Sequence, residues 1–383
     1  MTVLWIDLLS EWGGAQHSLY EICTSLPGKG VEVVAAVPYG PLFDRLTSAG
    51  IKVFPVSAVR AQKRGWGLFT TTAKLLRAPS TVMQIIRAVK PDIIHANSLP
   101  AFIAASRTST AIPLFWHVRD LNLPEVIARE TSKKAARIIA VSEAVDEYLV
   151  NLLSPRILGR IRVIRNGIDP TRFANADKAV ARQRFSLPPS APVIGMIAHL
   201  IPWKRHDAFI EAAALIHQKR PDAHFVAVGR DLFHEQTRWI STLERQVAAA
   251  GLESCFHWIK DIDSSEVVLP AFDVLLHTAL HEPFGRVLCE AMAAGVPVIA
   301  SESGGPATLI EQHVSGILIR DGLPQHMAEE TLSLLADPAR AATLADAGRR
   351  RVREQFTTER VCEQLSKEYR ALLTSLTVHD DDE

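Results

Sequence analysis

Along this 383-residue chain, short and nearly uninterrupted apolar runs alternate with longer stretches in which apolar residues recur at helical spacing. Runs without period-two alternation suit strands buried on both faces, and helices between them suit the crossovers of a parallel sheet. Strands are predicted over 3–8, 31–37, 52–56, 92–96, 114–118, 137–141 and 162–164, with helices over 15–26, 81–89 and 143–153. The stretch 173–191 is polar, then proline-rich, and breaks the pattern. The alternation then restarts, with strands over 193–198, 224–228, 255–258, 274–277 and 298–300 and helices over 205–218, 235–250, 286–294 and 306–312.

The pattern predicts an α/β protein of two doubly wound, Rossmann-like domains facing each other across a cleft. The expected division is a first domain over 1–175, a linker over 176–192, a second domain over 193–356 and a C-terminal helix over 357–376 bracing the first domain. Ligands of such sheets bind beyond the carboxyl ends of the strands.

Composition narrows this picture. Hydrophobic residues make up 48% and charged residues 22%, ordinary for a globular α/β protein. Cys23, Cys255, Cys289 and Cys362 show no CxxC spacing, which points away from a disulfide framework or a zinc site. The first ten residues lack a basic start and read as a strand, not a signal peptide. No apolar run reaches the roughly 18 residues of a membrane span. The expected location is the cytoplasm, with room for peripheral contact at the inner face of a membrane.

Net charge is zero, yet residues 1–175 hold 21 Lys and Arg against 13 Asp and Glu, and 176–383 hold 21 against 29. Between Asp44 and Asp92 there are nine basic residues and no acidic one: Arg45, Lys52, Arg60, Lys63, Arg64, Lys74, Arg77, Arg87 and Lys90. With Trp66 and Phe69 among them, this 45–90 stretch suits either a solvated face that guides anions or contact with an anionic membrane surface. Nothing in the sequence suggests a nucleic-acid partner.

The segment from His281 to Ala300, HEPFGRVLCEAMAAGVPVIA, carries the most chemistry. Pro283 disfavours helix at Glu282, so that carboxylate falls in a loop after a strand. Gly285 permits close approach to a ligand, and the amides of Arg286 and Val287 open a helix able to hold an anion. Glu290 follows one to two turns on. A loop carboxylate for sugar hydroxyls, helix amides for phosphate and a second carboxylate for ribose would form a nucleotide-sugar site. In isolation, two glutamates at this spacing are more often solvated surface groups.

Glu282-Pro-Phe-Gly, Glu290-Ala-Met-Ala-Ala-Gly-Val-Pro-Val-Ile-Ala300 and Ser303-Gly-Gly-Pro306 together resemble the signature of the family-4 retaining glycosyltransferases (glycosyl transferases group 1). Trp12-Gly-Gly-Ala15, Ala140-Val-Ser-Glu143, Arg165-Asn-Gly-Ile-Asp169, 195–204 and Val228-Gly229 resemble further segments of that family, in its order. The resemblance implies the GT-B fold, a nucleotide-sugar donor held by the C-terminal half, and a glycan, lipid-linked or small-molecule acceptor. It also implies retention of anomeric configuration.

By the same resemblance, Glu282, His117 and Lys204 are the catalytic candidates, with Lys204 neutralising the diphosphate and His117 near the transferred sugar. Glu290, Phe284, Gly285, Arg286, Val287 and Gly229 would bind the donor, and Gly13 and Gly14 would form a loop approaching phosphate or acceptor. One departure stands out. His199 occupies the place of a family arginine and Arg205 that of a glycine after the lysine. A histidine is half-charged near neutral pH, so Arg205 or another cation is expected to compensate.

No metal-ligand cluster or DxD stands at a predicted strand end, and neither metal nor cofactor is expected; fixed amides and Lys204 would stabilise the leaving diphosphate. Two alternatives share the architecture: a GT-B phosphorylase or epimerase, and a non-catalytic nucleotide-sugar-binding protein.

Overall fold

The computed structural model describes residues 1–59, 66–174, 177–231, 236–260, 262, 264–320 and 322–380, with side chains outside 66–77 and 378–380. Contacts divide the chain into two compact units: Met1–Gly167 with Thr358–Glu383, and Ile168–Thr357.

In the described residues the first unit holds seven strands: β1 Thr2–Ile6, β2 Glu32–Val37, β3 Lys52–Pro55, β4 Ile93–Ala96, β5 Leu114–Val118, β6 Arg137–Ala140 and β7 Ile161–Val163. They pair in parallel in the order β3-β2-β1-β4-β5-β6-β7. Val3, Leu4, Trp5 and Ile6 are all fully buried, which explains why β1 shows no polar alternation. The C-terminal helix Thr358–Asp380 closes this core: its Val361, Cys362, Leu365, Tyr369 and Leu372 join Val3, Trp5, Leu19 and Ile22.

The second unit carries β8 Val193–Ile197, β9 His224–Val228, β10 Phe256–Ile259, β11 Val274–His277, β12 Val298–Ser301 and β13 Ile317–Ile319. Their order, β10-β9-β8-β11-β12-β13, is again parallel throughout. Phe209, Phe225, Phe256, Leu243 and Met327 lie in its core. In each sheet the strand order reverses beside the first strand of the unit, between β1 and β4 and between β8 and β11. The carboxyl ends at those reversals are where doubly wound sheets bind ligands.

Several elements differ from the sequence pattern. The segment 176–192 contains the helix Lys178–Arg184, capped by Asp177, whose Oδ1 accepts from the Ala179 and Val180 amides at 2.8 and 3.0 Å. Its buried Arg182 donates to the Ala271, Pro188 and Pro189 carbonyls and to Asp273, so the helix packs onto the second unit. The helix expected over 81–89 begins at Trp66 and runs through Pro79 to Val89. The one expected over 306–312 stops at Leu309, because Ile310 is extended and Gln312 enters a β-bridge with Gly316.

Of the basic stretch, Arg60, Lys63 and Arg64 lie outside the described residues, as do the side chains of Trp66, Phe69, Lys74 and Arg77. No described helix is long and apolar enough to cross a membrane.

Candidate functional site

In the second unit, β8 and β11 deliver two adjacent loops. After β8, a short 3-10 turn, Pro202–Lys204, leads through Arg205 (φ 59°) into the helix His206–Lys219. The buried hydroxyl of Thr278, just beyond β11, faces the Lys204 and Arg205 carbonyls at 2.9 and 2.8 Å and ties the two loops together. Lys204 Nζ then donates to Glu282 Oε2 at 2.5 Å, and both side chains are largely buried. His277 Nε2, at the end of β11, lies 3.3 Å from the same oxygen without an aligned hydrogen bond. Burial alone would raise the pKa of Glu282. The Lys204 ammonium and adjacent His277 outweigh it and hold the carboxyl well below the usual carboxylate range.

The two glycines of Ser303-Gly-Gly-Pro306 fix the Glu282 loop. A Cβ on Gly304 would stand 2.3 Å from the Glu282 carbonyl oxygen, and one on Gly305 2.3 Å from the Phe284 Cα. The Gly305 amide donates to the Glu282 carbonyl at 2.7 Å, and the His281 amide donates to Ser303 Oγ at 2.9 Å. Gly285 (φ 92°) caps the helix Arg286–Ala294, whose first amides, with Val287 among them, lie where helix geometry favours an anion. The Phe284 side chain is buried against Phe356, leaving its backbone as the part that can meet a ligand.

Glu290 is already engaged on both oxygens, by Arg286 Nε at 2.8 Å and Ser265 Oγ at 2.5 Å. Gly229 has no room for a side chain, since a Cβ would lie 1.8 Å from the Ala198 carbonyl oxygen, and this closeness packs β9's end against the His199 segment.

His199 departs from the half-charged state expected of it. Burial, followed by the Lys204 and Arg230 cations, lowers its pKa to about 4 against the opposing pull of Glu282, so the ring is neutral near pH 7. Arg205 pairs with Asp207 at 3.8 Å. A further cation near His199, not named from the sequence, is the exposed Arg230, whose carbonyl accepts from the Leu200 amide at 3.1 Å. Its position directly after Val228-Gly229 was the available signal.

The first unit gathers a second polar constellation at the ends of β1, β4 and β5. The Gly13 carbonyl accepts from the Gln16 and His17 amides at the start of the helix Gly14–Ser25. A Cβ on Gly14 would meet no protein atom within 4 Å, so internal packing does not require glycine there. The fully buried Asp7 accepts from Ser98 Oγ at 2.7 Å, Asn97 Nδ2 at 2.9 Å and Gln16 Nε2 at 3.1 Å. Arg119 donates to Asn97 Oδ1 at 2.9 Å, Asn166 Oδ1 at 2.8 Å and Ser18 Oγ at 3.1 Å.

His117, on β5, is 1% exposed, with its Nδ1 3.2 Å from His95 Nε2. His95 Nδ1 in turn lies 2.5 Å from the Tyr369 hydroxyl. Burial, then the Arg119 charge, keeps both imidazoles well below their usual pKa and neutral. Of the other motif residues, Ser142 caps the helix Glu143–Leu152 through the Val145 amide, and Asp169 caps the turn Pro170–Phe173 through the Thr171 amide. Those two shape backbone.

Two family models match the chain: Glycosyltransferase Family 4 over residues 12–172 and Glycosyl transferases group 1 over residues 177–351. The chain is 31% identical over 219 residues to D-inositol 3-phosphate glycosyltransferase 2 of Catenulispora acidiphila, covering 56% of this chain and 50% of that protein. It is 27% identical over 389 residues to the GDP-mannose-dependent alpha-mannosyltransferase of Mycobacterium tuberculosis, covering 96% and 95%. The chain spans about half the length of the D-inositol 3-phosphate relatives it matches. The structure of Anabaena HepE in complex with UDP-glucose superposes with a TM-score of 0.82 at 25% identity, covering 97% of this chain and 100% of that one. With two doubly wound sheets, a glycine-capped helix start between Glu282 and Glu290, and family matches across both units, the chain belongs to glycosyltransferase family 4 and has the GT-B fold.

Proposed function

We propose that this protein is a hexosyltransferase that moves a sugar from a nucleotide-diphosphate donor to an acceptor hydroxyl, with retention and without a metal. The buried Lys204–Glu282 pair beside a glycine-capped helix start carries this assignment. Cleavage of the donor develops positive charge on the sugar and negative charge on the departing diphosphate. Lys204 and the first amides of the helix Arg286–Ala294 supply fixed positive potential for that diphosphate. Glu282, held ionised, accepts from sugar hydroxyls and favours the cationic sugar, while Glu290 receives the ribose. The bond between anomeric carbon and phosphate oxygen breaks, the electron pair leaves with the diphosphate, and the acceptor oxygen bonds to the same face. The acceptor's proton passes to the departing phosphate oxygen. The HepE complex with UDP-glucose supports a nucleotide-sugar donor.

A thermal-shift panel of UDP- and GDP-sugars tests the donor, since a ligand at 100 times its Kd adds about 2.7 kcal/mol. Turnover of the stabilising donor in EDTA then tests metal independence, and loss of activity restored by Mg²⁺ or Mn²⁺ would refute it. The acceptor is read as a glycan, a small polyol or a lipid-linked sugar. A lipid-linked acceptor would suit a chain whose 45–90 stretch rests on anionic headgroups, at roughly 1 kcal/mol per contacting cation. Co-sedimentation with anionic vesicles at low and high salt checks this. Equal recovery in the supernatant under all conditions would favour a water-soluble acceptor.

A further inference from the structure

Strands β4 and β5 of the first unit carry two histidines that the family signature does not join, and the C-terminal helix adds a tyrosine to them. The rings are fixed. Trp5 stacks on His95 with centroids 3.7 Å apart and planes 11° from parallel, and Phe115 meets Tyr369 edge-on at 5.0 Å. Tyr369 and His95 are fully buried, and His117 Nε2 is buried with no hydrogen-bond partner among the described residues.

A neutral imidazole carries one proton, so a chain from tyrosine through two histidines can run in only two directions. In one, the Tyr369 hydroxyl donates to His95 Nδ1, His95 Nε2–H donates to His117 Nδ1, and His117 keeps its proton on Nε2. In the other, His117 Nδ1–H donates to His95 Nε2 and His95 Nδ1–H donates to the Tyr369 oxygen. The second direction strands the tyrosine's own proton, because His95 Nδ1 is the one partner of that hydroxyl among the described residues. Either direction leaves His117 Nε2 open, so the buried hydroxyl decides between them.

We propose that Tyr369 and His95 are positioning residues that lock His117 with its proton on Nε2, making it a hydrogen-bond donor to a sugar oxygen and not a base. This rests on the glycosyltransferase reading for the identity of the oxygen, while the proton arrangement stands on the geometry alone. It gives the polar edge of the first unit a directed contact: a ligand oxygen with a lone pair fits, and an N–H or ammonium group does not. A histidine acting as base would need the lone pair that this arrangement points the other way.

Long-range proton–nitrogen spectra of the ¹⁵N-histidine-labelled full chain report the tautomer directly. Wild type is expected to show His117 and His95 both protonated on Nε2 and unprotonated on Nδ1. Tyr369→Phe should shift His117 toward a mixture of tautomers. His95→Gln, whose amide can accept from tyrosine and donate onward, should retain the wild-type state where His95→Leu loses it. In donor turnover, Tyr369→Phe should lower kcat/KM about tenfold, as loss of an outer supporting partner does, and should cost nothing further in a His117→Ala background. A wild-type His117 protonated on Nδ1, or fully multiplicative losses in the double variant, would overturn the proposal. A correct tautomer in a chain that turns over no nucleotide sugar would leave the relay standing and refute the proposed function.

Discussion

Glu282 and Lys204 neutralise each other as a largely buried pair, and that pairing couples the proposed chemistry to stability. Glu282→Gln and Lys204→Ala are each expected to lower turnover roughly 10²-fold, because each removes charge from the reacting centre. Glu282→Gln also leaves a buried ammonium without its counter-ion, a change that costs about 3–5 kcal/mol in enclosed pairs and less where water reaches. Since the folded pKa of Glu282 is depressed, its stabilisation is present above the unfolded value of about 4.3 and is lost as pH falls below it. The stability gap between wild type and Glu282→Gln should therefore narrow below about pH 4 in acid titrations followed by denaturant unfolding. A constant gap would show that Lys204 does not act through this carboxylate. His199 makes a separate case. Neutral with a pKa near 4, it should leave the affinity for a nucleotide sugar unchanged between about pH 6 and 8, where the diphosphate diester does not titrate either. His199→Arg should tighten binding about tenfold by supplying a permanent cation. A wild-type affinity that climbs as pH falls through about 6.5 would mean that the ring is charged when the donor binds. Glu282 and Glu290 stood out in the sequence through short-range signals, a proline, a glycine and a helix start, whereas Lys204 was singled out by the family resemblance alone. Ser265, His277, Asp7, His95 and Tyr369 did not, because each acquires its partner only through tertiary contact; His95 and Tyr369 stand 274 positions apart.

At the scale of elements, the buried strands were readable since both of their faces must be apolar. The helices Pro41–Ser48, Pro324–Ala336 and Pro338–Gln355 were not read, because each opens on a proline that resembles a break yet suits the first helical position. Strand β13 was not read, although β7, of the same three-residue length, was. Glycines separate along the same line between packing and approach. Gly304→Ala forces a methyl to 2.3 Å from the Glu282 carbonyl oxygen at φ 77°. It should lower stability by about 2–4 kcal/mol and displace the carboxylate, abolishing most turnover. Gly14→Ala meets open space at the first position of a helix, where alanine is the better helix former. Its melting temperature should match or exceed wild type, while substrate affinity falls if a ligand comes close to that backbone. Equal effects at the two positions would show that Gly14 is structural too.

For the whole molecule, the division at Gly167 and Thr358 means that the first unit is built from two separated pieces of chain. Removing 358–383 takes Val361, Cys362, Leu365, Tyr369 and Leu372 from its core. At roughly 1.5–3 kcal/mol for each large apolar side chain, the loss approaches or exceeds the 5–15 kcal/mol by which domains are stable. The truncated chain is expected to retain hydrogen-exchange protection in β8–β13 and to lose it in β1–β7. Protection persisting in β1–β7 would mean that the helix is an accessory. This discontinuity also sets an order of events on the ribosome. The second unit is contiguous and can fold as soon as it emerges, whereas the N-terminal sheet, synthesised first, must wait for Tyr369 and its neighbours. With 168–357 still to be translated at about 5–20 residues per second, the wait lasts roughly 10–40 s. During that interval the β1–β7 region is nascent chain whose apolar strands are expected to stay uncovered, so an N-terminal unit here becomes native last.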